Sequence, residues 1–206
     1  MNFTFPKLSY LAKRYKISDP YGEGYGKLVQ KTVEEVKKKH KNFISYLDEY
    51  LPDGIKLWPE TATQLEALEA KDTKDTVTLD VDLGDKYRGK SPDTVRGTKG
   101  TDILLPTVYV LYLLLEHKDN LCLDISGDMV RYGGEFSCCP HVDQGGSKAW
   151  LESRWARNAD EYCGSFCCAG ESLDTRPLNL DAHFESLISG FRVEIGGKKY
   201  RLVEEK

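Results

Sequence analysis

Residues 27–51 read KLVQKTVEEVKKKHKNFISYLDEYL and residues 76–83 read TVTLDVDL, and these two stretches set the expected fold. In the first, Leu28, Val29, Val33, Val36, His40, Phe43, Ile44, Leu47, Tyr50 and Leu51 recur at steps of three and four, the period of one helix face. Pro52 and the turn at Asp53-Gly54 stop it. In the second, Val77, Leu79, Val81 and Leu83 alternate with Thr76, Thr78, Asp80 and Asp82, the pattern of a strand with one face in the core. The expectation is a long N-terminal helix laid against a small, mostly antiparallel sheet.

The flanking segments extend this picture. Residues 1–26 read as an irregular opening rich in Tyr and Gly, and 59–70 as a shorter helix with Pro59 in its first turn. Residues 84–100 form a long polar connection, followed by an apolar helix over 103–115. Residues 121–125 and 129–132 are expected to pair as a hairpin, 133–146 to form a cysteine-bearing loop, and 147–162 to form a helix capped by Ser147. A short helix over 181–189 and a hairpin of 191–195 with 198–203, turning on Gly196-Gly197, complete the chain. The fold class is therefore α+β: one domain over 1–206, with 1–75 mainly helical and 76–206 mixed sheet and helix.

Length and composition agree with a globular domain. The chain has 206 residues, 40% hydrophobic and 30% charged, with a net charge of -4. That balance gives no overall attraction to nucleic acid. The apolar stretch 103–115 contains Pro106 and falls short of the roughly 20 residues that a membrane span needs. Residues 1–10 show no signal-peptide core, so a cytoplasmic, reducing setting without membrane contact is expected.

Six cysteines stand at 122, 138, 139, 163, 167 and 168. Two short clusters, Cys138-Cys139-Pro140-His141 and Cys163-x3-Cys167-Cys168, bracket one segment, and paired clusters of thiolate and imidazole suit a structural zinc site. The expected ligands are Cys138, His141, Cys163 and Cys167, with Cys139 and Cys168 as substitutes. Buried thiols, disulfides, and a thiol nucleophile working with His141 are the competing explanations.

Asp80 and Asp82 project from one face of their strand and could hold Mg²⁺ for phosphoryl or nucleotidyl transfer, with Asp124 as a third carboxylate. Lys86, Arg88, Lys90, Arg96 and Lys99 of the connection that follows would then meet phosphates, or a nucleic acid. The Asp-x-Asp pattern resembles that of nucleotidyltransferases and archaeo-eukaryotic primases. The Gly-Ser loop of the former and the Ser-x-His element of the latter are absent. Gly22-x-Gly24-x-Gly26-Lys27 precedes a helix, where backbone amides can bind phosphate, but it matches neither the dinucleotide fingerprint nor the P-loop and reads as a turn. The run Lys37–Lys41 reads as a solvated helix face paired with Glu34 and Glu35.

No complete catalytic constellation emerges. The leading expectation is a non-enzymatic, zinc-stabilised binding or accessory protein that acts on another protein. The alternative is the Mg²⁺-dependent transferase.

Overall fold

The computed structural model describes residues 1–41, 43–47, 51, 54–116, 121–145, 148–170, 192–195 and 198–201. They fall into two compact units, 1–170 and 171–206. In the second unit, β12 (Arg192–Ile195) and β13 (Lys198–Arg201) pair antiparallel. The short helix expected over 181–189 lies outside the described residues.

Among the described residues, the first unit holds two sheets and five short helices. β1 (Asn2–Pro6) pairs with β4 (Thr76–Asp82), β4 with β11 (Cys167–Cys168), and β11 with β5 (Ile103–Leu104), all antiparallel. The second sheet has seven strands: β2 (Ile44–Leu47), β3 (Ile55–Leu57), β6 (Leu121–Asp124), β7 (Asp128–Tyr132), β8 (Glu135–Gly145), β9 (Lys148–Trp155) and β10 (Gly164–Ser165). Strands β6–β10 and β2–β9 pair in parallel, the remaining strands antiparallel.

This corrects the expected architecture in three places. The long N-terminal helix is not formed: α2 covers Tyr25–Lys39, and Ile44–Leu47 leaves it to become a strand beside β9. The apolar period continues past Lys39, but a β-branched residue with a strand to join is better satisfied in a sheet. The expected cysteine loop and the helix after it are the two long strands β8 and β9, paired from Cys138↔Trp155 to Gly145↔Lys148. Ala149 and Leu151 face the core while Trp150 is exposed, so the true period there is two. Finally, β6 and β7 do not pair with each other. Both lie antiparallel to β8, β6 against 141–144 and β7 against 135–138, so they run in series along it with a break at 125–127.

The opening that looked irregular is β1 followed by α1 (Leu8–Tyr15), with Leu8, Leu11 and Ala12 buried. Glu69, at the end of α3 (Pro59–Glu69), accepts hydrogen bonds from the amides of Leu8 and Ser9. It thereby supplies the acceptors that the first turn of a helix needs. Tyr21 and Tyr109 donate their hydroxyls to the same carboxylate. The buried Lys7 ammonium in turn donates to the carbonyls of Glu69 and Asp72. A charged network thus locks α1 to α3.

The polar connection expected over 84–100 contains a short helix, α4 (Pro92–Thr98), and the centre of the core is α5 (Thr107–Glu116), whose Val108, Tyr109, Val110, Leu111, Leu113 and Leu114 are all buried. A helix apolar on every side belongs inside a domain. Tyr109 stacks on Phe5 at 4.7 Å. The Thr107 amide donates to Asp128 Oδ2 at 2.7 Å, as does the Tyr25 hydroxyl. Asp128 is fully buried, and among the described residues its Oδ1 makes no hydrogen bond that meets the usual geometry. Among the described residues, no helix is long and apolar enough to cross a membrane.

Candidate metal and thiol centre

Strand register assembles the site. Cys122 and Asp124 are two apart on β6 and face the same side, opposite Asp143 and His141 of β8. On the other edge of β6, Gly164 pairs in parallel with Leu123, so the preceding residue, Cys163, comes opposite Cys122. Three strands therefore deliver Cys122, His141 and Cys163 to one spot. Their ligand atoms all lie within 4.8 Å of one another, and they are the group so placed among the described residues.

Cys122 and Cys163 are joined as a disulfide, with Cα atoms 4.9 Å apart. His141 Nε2 lies 3.9 Å from Cys122 Sγ, and Nδ1 meets Asp124 Oδ1 at 3.0 Å. A carboxylate behind the far nitrogen fixes the ring and presents the near nitrogen to the sulfur, as in metal-bound histidines. His141 and Asp124 are buried, whereas Cys122 keeps some access to solvent. Arg154 closes the other side: its guanidinium is 3.7 Å from Cys163 Sγ and is held by Glu152 and Asp160. Gly164 is pressed so closely on Gly84 that an added Cβ would sit 2.0 Å from the Gly84 carbonyl oxygen.

The expected ligand set is only half assembled. His141 and Cys163 are in the cluster. Cys138 and Cys167 are not, because Cys138 faces the core from β8 and Cys167 sits in the other sheet between Asp82 and Leu104. Cys139, one residue along from Cys138, turns to the opposite face of β8, as alternation requires. Cys138, Cys139, Cys167 and Cys168 remain as buried thiols. Burial, with Asp124 close by, pushes the Cys139 thiol well up, and burial beside Asp102 pushes Cys168 up to about 12. Cys122 was the residue missed. It stands alone in sequence, and its only signal was sharing a strand face with Asp124.

The aspartates of the alternative are engaged separately. Asp80 takes the Met1 ammonium at 2.7 Å, Asp82 accepts the amides of Gly84 and Lys86, and Asp124 is committed to His141. The basic residues after them are mostly paired within the fold. Lys86 reaches Asp102; burial pushes that carboxyl up, but the Lys86 ammonium and the Tyr87 hydroxyl outweigh it and hold it below the ordinary range. Arg88 reaches Asp85, and Lys99 reaches Glu60. Arg96 pairs with Asp93 and donates to the carbonyls of Ser126 and Asp128, while Lys90 lies over the Tyr87 ring.

No protein-family model, curated protein or solved structure matches the chain.

Proposed function

We propose that the protein is a binding or accessory protein whose larger unit is tied together at Cys122, His141 and Cys163, by a disulfide when oxidised and by zinc when reduced. The observation that carries this is the buried His141 held between Asp124 and the Cys122 sulfur. Two thiolates and an imidazole are a zinc donor set, and Asp124 is the outer-shell partner that such a histidine needs. The two states exclude each other. A thiol reductant must first convert the disulfide to two thiols, becoming a disulfide itself, and zinc then displaces the two thiol protons.

A non-catalytic role fits the surroundings. Zinc lowers the pKa of a bound water to about 7 by itself, but metal-assisted hydrolysis commonly also uses a free carboxylate or imidazole to move the proton. Here Asp124 is spent on His141, and Glu152 and Asp160 on Arg154. The partner-binding part of the reading rests on Tyr132 and Trp155, which stack edge to face at 5.2 Å with more than 40% of each exposed. Aromatic side chains presented in this way are favoured in protein interfaces. The proposed partner is another protein.

The test is zinc uptake by protein reduced with a thiol and then freed of reductant. One zinc per chain is expected in the reduced form and none in the oxidised form, with Cys122→Ser and His141→Ala both losing it. Reduced, folded protein that takes up no zinc would overturn the reading.

A further inference from the structure

A cavity of about 520 Å³ lies apart from the thiol centre, between the Gly22–Gly26 turn and the outer face of β3, β7 and β8. Lys27, from the first turn of α2, lines it with Lys56 of β3 and Arg131 of β7. Lys56 Nζ and Arg131 Cζ flank Phe136 at 3.9 and 4.8 Å from the ring centroid, which holds both cations at the cavity wall. Among the described residues, none of the three is paired with a carboxylate, whereas Lys86, Arg88, Arg96 and Lys99 all are. Among the described residues, Glu23 is the one acidic residue lining the cavity.

We infer that this cavity binds a small phosphorylated molecule through Lys27, Lys56 and Arg131. Three cations from three separate elements line it against one described carboxylate, Glu23, and an anion with two or more charges supplies what they lack. The start of α2 adds to this, since no side chain caps it and no acidic residue stands in its first turn. The volume accommodates a nucleotide-sized ligand. A long polyanion is disfavoured, because the adjoining cavity beyond Phe136 offers no run of cations, only Arg157 beside Asp93 and Glu135 among the described residues, and the chain as a whole carries a charge of -4.

The site shares no residue with the thiol centre, so either reading can fail alone. Calorimetry with pyrophosphate, ATP and a single-stranded oligonucleotide tests it. Pyrophosphate and ATP are expected to bind, more weakly as salt rises. Lys56→Gln and Arg131→Gln are each expected to weaken binding about tenfold, as for one charged contact. Glu23→Gln should tighten it. All three are surface changes, and circular dichroism confirms that each variant is folded. Absence of pyrophosphate and ATP binding at millimolar concentration would overturn the inference. So would affinity unchanged in both cation variants, or binding of the oligonucleotide alone.

Discussion

Replacing Asp128 with Asn should stabilise the larger unit at neutral pH, and the gain should vanish in acid. Burial pushes the Asp128 carboxyl up from 3.8 to about 7, despite the hydrogen bonds from Thr107 and Tyr25 and the nearby Arg96 guanidinium. The folded protein therefore holds a proton there over a range in which the unfolded chain has released it. Stability from this group is intact below about pH 4, falls as the pH rises to about 7, and is level above that. The interval is about three pH units at about 1.4 kcal/mol each, so the total is on the order of 4 kcal/mol. Asn keeps an acceptor for the Thr107 amide and the Tyr25 hydroxyl and carries no charge to desolvate. Urea unfolding of both proteins, followed by the fluorescence of Trp58, Trp150 and Trp155, measures the difference at each pH. Other carboxylates titrate in both proteins and cancel. A stability difference that stays constant from pH 4 to pH 8, or that grows toward acid, would refute the reasoning.

Two further expectations concern the cysteine strands. Gly164→Ala should cost about 1–3 kcal/mol, because the new Cβ meets backbone at Gly84 rather than a side chain that can swing away. An unchanged urea midpoint would contradict it. It should also weaken zinc uptake by displacing Cys163. Native oxidised protein should react only slowly with a thiol reagent, since the remaining cysteines are buried and those at 139, 167 and 168 are pushed up. The denatured protein should show four thiols, and a fast-reacting thiol before denaturation would count against the packing described.

Much of the local structure was legible where a segment's own period decides it. The alternation over 76–83 gave β4, and Pro59 with Leu65 gave α3. Failures fall where a distant partner decides. Residues 44–47 fit either a helix stripe or a strand, and β9, about 100 residues later, settles the matter. Leu151, Trp155 and Ala159 are spaced for a helix, but Ala149 and Leu151 are equally spaced for a strand, and β8 takes them. The thiol centre was half legible for the same reason. His141 and Cys163 are conspicuous beside other cysteines, while Cys122 joins them only through the register of β10, β6 and β8.

The order of strands in the smaller sheet bears on how the chain is made. β4 ends at residue 82, yet β11, which lies between β4 and β5, is not complete until residue 168. At about 5–20 residues per second, a growing chain carries β4 with one edge unpaired for roughly 4–17 s. An open edge of that kind invites pairing with another chain. Asp82 puts a negative charge at that end of the strand throughout the interval, while Asp80 takes the Met1 ammonium once β1 pairs. Charge on an open edge opposes pairing with another chain, so the carboxylate that looked like half of a catalytic motif guards the end of β4 that Cys167 and Cys168 later cover at Asp82 and Val81.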